Sequence, residues 1–552
     1  MIRFRRNILQ KFFRRLSPCH KSCFIAAIWG ITLLTYPIAP AAARSESALN
    51  LLLHAAASAE SHRIPISYAT TRITGPLTKN GLVDYVAAFN KRFGKGVTPQ
   101  NNAAVPLLIL FRPQSFQGGS YKMVAGKMVY IPDKNYGRDL RRALGISKRD
   151  LIGPRFVRYH KFYRGIGTAT AEGTSHDISR LTLAPAYVPG KCYRQAWSEK
   201  TYPLIAAWLR SDAASLGVAA AAFRQRHFFV PLLGSASGGH GMAFGLGSVL
   251  PALASAKAVG DGLAARSMLA LGQGRIRACE RNLLAVHRLA SLLTQEHLLI
   301  ATLVADSLEI MGCQGDEALA RSRWLSAKAS RAYLARLSKL SRRAMAWTAL
   351  DTGERWMALD GLQRAAASRD AVAFIGLGSP VPKQAISWKS AQYAAAMAML
   401  NRLQDHIVKI FKLKNFRQRA ISFLSAYRHW RHSRKPVDSS FLQFVGTMGR
   451  TIAPEARCAA FRRMDYLSFA LAAYLGGHGA FPTRLAQLEP KYLPTIPRDP
   501  FTGKPFRYTA SPTGCTISSP GAFPPQLFPG SQPPQGQPII VHLSLPPRRA
   551  SK

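Results

Sequence analysis

From Tyr202 to Ile375, and again from about Ser387 to Leu475, apolar side chains recur every third or fourth residue, the spacing that lines one face of an α-helix. Trp208, Leu209, Leu216, Ala220 and Phe223 form one stripe. Leu283, Leu284, Val286, Leu289, Leu292 and Leu293 form another, which Thr294 interrupts and Leu298 resumes. A helix with such a stripe cannot bury it alone, so the chain must be mainly α, its helices paired as hairpins in an irregular bundle or solenoid. No fixed sequence period runs through these segments, which argues against a regular repeat family.

The spacing divides the mature chain into an N-terminal α+β region at 44–200, a helical hairpin region at 201–375, a second helical region at 383–475 and a C-terminal module at 476–552. With 47% hydrophobic residues in 552, such a chain can build two to four cores. In the first region Leu82, Val86, Phe89 and Phe93 predict a helix capped by Asn80 and ended at Gly94. Thr98 and Pro99 predict the start of a second helix, which Pro106 should kink or stop near Val105. Residues 112–200 are mixed, with strand-like pieces such as Lys127 to Pro132. The last long helix should stop at Gly476-Gly477. Beyond it Asp499-Pro500-Phe501-Thr502-Gly503 reads as a turn, and Phe506, Tyr508, Cys515 and Ile517 alternate as a small hairpin would. A Pro-rich tail follows, broken by a strand-like Ile539 to Leu545.

Residues 1–43 have the pattern of an export signal or an N-terminal anchor. Arg3, Arg5, Arg6, Lys11, Arg14, Arg15 and Lys21, with no acid, precede the apolar run Cys23 to Ile38, which ends at Pro40 and Ala41-Ala42-Ala43. The expectation is an exported protein, periplasmic or membrane-associated. The formal charge of +48 less the seven leader cations leaves +41. Outside the cytoplasm that charge points to anionic lipid head groups, acidic wall polymers or envelope proteins rather than nucleic acid. A scarcity of acids in a protein facing an acidic exterior is the other explanation. A binding surface would concentrate the charge, and habitat would spread it.

Chemistry is sparsely signalled. Five cysteines remain after the leader, Cys192, Cys279, Cys313, Cys458 and Cys515, too widely spaced for a zinc ribbon or a dithiol; they permit one or two disulfides with at least one thiol unpaired, and buried inert thiols are the preferred reading. Pro231 to Pro251 is glycine-rich but lacks both a phosphate-loop and a nucleophile-elbow pattern, so it reads as a connection, and no cofactor is expected. Glu280, Glu296, Asp306, Glu309, Asp316 and Glu317 cluster with His287 and His297. Without Glu-x-x-His, ion pairing to arginines explains them better than a metal. Asp351, Glu354 and Asp360 with Arg355 and Arg364 read the same way. Ser175-His176-Asp177 is no triad, because neighbouring side chains diverge. The strongest interaction signal is the cationic stretch Lys409, Lys412, Lys414, Arg417, Arg419, Arg428, Arg431, Arg434 and Lys435, interleaved with Phe411, Phe416, Phe423, Tyr427 and Trp430. It reads either as an anionic-surface contact or as a helix pair that buries aromatics and solvates charges.

Three stretches together resemble a family of exported helical proteins without assigned function, of the kind met in planctomycete-like bacteria. They are Gly81 to Asn90 with Gly96 to Ala104, Gln295 to Val304, and Phe481 to Leu485 continuing through Tyr492-Leu493-Pro494 to Asp499-Pro500-Phe501-Thr502-Gly503 and Tyr508. The last also resembles the C-terminal region of type II secretion pseudopilins, where the corresponding loop can hold calcium. Here Asp499 stands nearly alone among acids, while a hard cation needs several oxygens. The expectation is an envelope binding or scaffolding protein. The alternatives are an envelope hydrolase and an accessory of secretion or surface filaments.

Overall fold

The computed structural model describes residues 64–113, 118–124, 127–162, 188–233, 246–322, 325–340, 343–367, 374–375, 379–380, 389–432, 439–524 and 537–544. The leader, Ser175-His176-Asp177, Arg434, Lys435 and most of the glycine-rich connection lie outside them. Mainly helical, the fold carries a small antiparallel sheet near its C-terminus, as the periodicity implied.

The first helix, α1 (Tyr85–Phe93), starts at Asp84, whose carboxylate accepts the Ala87 N–H at 2.9 Å. Asn80 is not the cap, because it lies in the turn that the Leu77–Val83 bridge closes. The second helix, α2 (Ala104–Leu110), begins later than Thr98. Asn101 accepts the Thr98 N–H at 2.8 Å and donates to the Gly96 carbonyl at 2.9 Å, which commits that segment to a turn. Pro106 then falls in the first turn of α2, where its missing N–H has no helical partner to lose, so the expected break does not arise. Lys127 to Pro132 is indeed strand, since β1 (Gly118–Val124) pairs antiparallel with β2 (Lys127–Asp133) ahead of α3 (Tyr136–Ala143).

Two short helices, α4 (Pro203–Ser211) and α5 (Ala213–Ala222), meet at 63° around buried Asp212, which accepts the Val157 N–H at 3.1 Å. Next come the three helices of the core, α6 (Leu246–Gly272), α7 (Ile276–Leu293) and α8 (Leu299–Ala320), packed on one another. The interruption at Thr294 is real. A 3₁₀ turn at Thr294–Glu296 and left-handed His297, φ 51°, reverse the chain between α7 and α8. Helices α7 and α8 approach closely because α8 presents glycines: a Cβ on Gly315 would sit 2.5 Å from Leu283 Cδ2, and one on Gly312 2.7 Å from His287 Cε1.

Helix α9 (Ala327–Ser338) is followed by α10 (Ala346–Ala349), a π-turn at Leu350–Glu354 and α11 (Arg355–Ala367). After the minimal pairing of β3 (Phe374–Ile375) with β4 (Ser379–Pro380) come α12 (Ser390–Phe411), α13 (Phe416–His432), α14 (Ser439–Gly449) and α15 (Ile452–His478). Helix α15 packs against α8 and α9, so the two stretches of helical periodicity share one apolar cluster. It runs past Gly476-Gly477 and ends at Gly479, φ 72°, since Gly476 is needed for space: its Cβ would lie 2.5 Å from that of Ala327. No single helix among the described residues is long and apolar enough to cross a membrane.

In the C-terminal module Asp499 closes the expected turn, its N–H donating to Lys504 and its carbonyl accepting from Gly503, both at 2.8 Å. The hairpin of β5 (Arg507–Ser511) and β6 (Gly514–Ser519) gains a third strand, β7 (Ile539–Ser544), which alternates buried and exposed residues as a half-covered strand should. Tyr508 donates its hydroxyl to the Pro482 carbonyl at 2.7 Å, and Arg463 on α15 reaches the Arg498 carbonyl at 2.6 Å, which pins the module to the helices. The five cysteines among the described residues are buried and free.

Candidate functional site

The cationic stretch is a helix pair. Phe411, Phe416 and Phe423 are buried between α12, α13 and their neighbours, while Lys409, Lys412, Lys414, Arg417, Arg428 and Arg431 are exposed. Arg419 does not belong to that surface. It is 1% exposed, pairs with Glu455 at 2.7 Å, donates to the Leu413 carbonyl at 2.7 Å and lies over the Phe416 ring. A helical wheel puts residue 419 inward whenever Phe416 and Phe423 face the core, and only its partner on α15 makes burial tolerable. Lys409 lies on α12, Lys412 and Lys414 in the connection, and Arg417, Arg428 and Arg431 on α13.

Two of the stretches that carry the resemblance, Gly81 to Ala104 and Gln295 to Val304, brace one segment, Arg226 to Leu232. Asn90 accepts the Leu232 N–H at 2.9 Å and returns a bond to its carbonyl at 2.8 Å, and Asn102 does the same with Phe229 at 3.0 and 2.8 Å. From the other side Gln295 takes the Phe228 N–H at 3.1 Å and Glu296 the Val230 N–H at 2.9 Å. Glu354 accepts the Leu299 N–H at 3.1 Å, capping α8 from the π-turn. Burial pushes the Glu296 carboxyl up to about 8 and that of Glu354 up to about 7, against weaker opposition from these amides. These side chains hold backbone, so the motifs encode architecture. Asp499 is likewise occupied, its Oδ1 accepting the Phe501 N–H at 2.9 Å.

Four of the six acids in the cluster pair with arginine; Glu317 meets Arg321 one turn along α8 at 3.5 Å, whereas Glu296 holds a backbone amide and Asp316 meets His287 and Tyr333. Arg336 meets Glu280 at 2.6 Å, Arg343 meets Asp306 at 2.6 Å, and Arg462 meets Glu309 at 3.0 Å. His297 is elsewhere, stacked on Phe93 at 4.0 Å, and burial pushes it down to about 4. His287 sits between carboxylates, its Nε2 2.9 Å from Asp316 and its Nδ1 3.2 Å from Glu309, with Asp465 from α15 beside them. Burial alone would lower His287, yet the two carboxylates prevail and hold it well above its usual value. In the second group, Arg355 is fully buried between Asp351 at 2.8 Å and Asp405 at 2.9 Å, whereas Glu354 has no arginine partner among the described residues.

The site that sequence reasoning missed is a pocket of about 420 Å³ between α5, α6, α7 and α9, within the size range of small-ligand sites. Its lining includes Gly217, Ala220, Ala221, Ala270 and Ala278, small residues that leave space between the helices. With them stand Arg224, Arg266, Arg275, Arg281, Arg288 and Arg336. Among the described residues only Arg336 has a carboxylate partner there, Glu280; Arg266 reaches the Ala213 carbonyl at 3.4 Å and Arg275 the Gln273 side chain. Burial first, and then the charges of Arg224 and Arg336, push the Arg288 guanidinium below its usual value. Arg266 is lowered by burial and by Arg275 and Arg281. These cations therefore repel one another in a hollow that holds too little negative charge for them.

An arrangement of this kind binds anions. Guanidiniums offer forked donors that match phosphate and carboxylate oxygens, and a concave wall of one sign focuses the field. The sequence carried one trace of it, Arg281 and Arg288 seven residues apart on one face of α7, but the other four arginines arrive from three separate parts of the chain. Comparison with known proteins gave no match: no family model, no curated protein and no solved structure aligns significantly with the chain.

Proposed function

We propose that this chain is an exported envelope protein that binds a phosphate-bearing polyanion, such as a bisphosphorylated sugar or lipid head group, in the arginine-lined pocket. The observation that carries this reading is the gathering of six arginines around one hollow with, among the described residues, a single carboxylate, Glu280, paired there. Export is supported by the leader pattern of residues 1–43, and an anionic partner by the excess of basic residues. Two or more phosphates are favoured because one would leave several guanidiniums unpaired, and each charged hydrogen bond contributes about 1.5–3 kcal/mol.

Calorimetric titration with inorganic pyrophosphate tests the reading. Binding should weaken by about tenfold or more for each of Arg281→Ala and Arg288→Ala, fall with added salt, and be indifferent to Lys409→Ala and Lys412→Ala. Equal losses from both pairs would mean diffuse attraction to a basic protein, and would refute a built site.

A further inference from the structure

We infer that His287, Asp316 and Asp465 form a divalent metal site inside the helical core, separate from the arginine pocket. Their ligand atoms, one from each of α7, α8 and α15, all lie within 4.8 Å of one another. The 2.9 Å between His287 Nε2 and Asp316 Oδ2 matches the edge between neighbouring ligands of an octahedral ion whose bonds are about 2.1 Å. Asp465 is 6% exposed and its Oδ1 meets no donor among the described residues; its carboxyl faces that of Asp316, and burial first, then that neighbour's charge, push it well above the usual carboxylate range.

The groups around these three do what the outer shell of a metal site does. Glu309 Oε2 stands 3.2 Å from His287 Nδ1, a carboxylate behind an imidazole, and is itself held by Arg462 at 3.0 Å. Tyr333 donates to Asp316 Oδ1 at 2.6 Å, which leaves Oδ2 for the ion. The His287 ring lies flat against Gly312, so any larger residue there would push it out of place. A void of about 10 Å³, room for about one water, is lined by His287, Glu309, Arg462 and Asp465. One imidazole with two carboxylates suits Zn²⁺ or Mn²⁺ rather than a soft ion.

The test is uptake of Zn²⁺ and of Mn²⁺, each alone, by the untagged full chain after chelation and dialysis, read as bound metal per chain. One ion per chain is expected for at least one of the two. Affinity should drop at least 100-fold in Asp465→Asn and about 10- to 100-fold in Glu309→Gln. Because ligands must shed protons, uptake by the unsubstituted chain should also weaken as pH falls. This readout survives even if a variant fails to fold. No uptake of either ion overturns the inference, and so does undiminished uptake by Asp465→Asn.

Discussion

One change, glycine to alanine, made at three helical positions should give opposite signs. At Gly217 on α5 a Cβ would meet nothing within 4 Å, because the residue faces the pocket. Alanine there gains helix propensity without a clash, so Gly217→Ala should stabilise the chain by roughly 1 kcal/mol. At Gly353 in the π-turn the same atom would lie 2.2 Å from the His297 carbonyl oxygen, and at Gly272 2.1 Å from that of Trp197. Those oxygens belong to backbone packed from both sides, so each substitution should cost about 3 kcal/mol. Urea unfolding followed by tryptophan fluorescence reads the difference, about 4 kcal/mol between chemically identical changes. Gly217→Leu extends the test, since it should keep the stability and weaken pyrophosphate binding. If Gly217→Ala destabilises the chain, the open space at the pocket is misread, and if Gly353→Ala is silent, the tight π-turn is.

Other outcomes follow from the buried charges. Glu296 has a folded-state value of about 8 against an ordinary 4.5. Its stabilising contribution is therefore complete below about pH 4.5 and lost as pH rises through 8, at up to about 1.4 kcal/mol per unit. Unfolding midpoints at pH 5, 6.5 and 8 should fall in that order, with a shallower fall in Glu296→Gln; a rise would contradict the assignment. Arg355→Met should cost about 3 kcal/mol, the lower end for a broken buried pair, because Asp351 and Asp405 are 34% and 40% exposed and Asp405 keeps Arg72 at 2.9 Å. Denaturant midpoints would show it, and a neutral result would mean that the guanidinium is not holding α11 to α12. The five buried thiols should resist a thiol reagent until the chain unfolds.

Helices and their breaks were legible wherever apolar spacing was strict, as at Thr294, where the stripe of α7 stops and the chain reverses. Positions went wrong where a polar side chain was used over a long distance or a glycine served for space. Thr98 looked like a cap because Asn101 and Asn102 give no local sign that one closes a turn while the other pairs with Phe229. Gly476-Gly477 looked like a stop, although Gly476 admits Ala327 to a helix that continues. The anionic-surface residues were chosen for density along the chain, which misplaced Arg419. The pocket stayed hidden because its charge is dense only in space, its arginines spread from Arg224 to Arg336. The same holds for His287, Asp316 and Asp465, whose third member lies about 150 residues from the second.

The most direct measurement is a crystal of the chain soaked in tungstate, a tetrahedral dianion that scatters strongly and stands in for phosphate. An anomalous peak among Arg224, Arg281 and Arg288 is the result expected. Peaks confined to the exposed cations of α12 and α13, with none in the pocket, would contradict the reading of this protein as a polyanion binder.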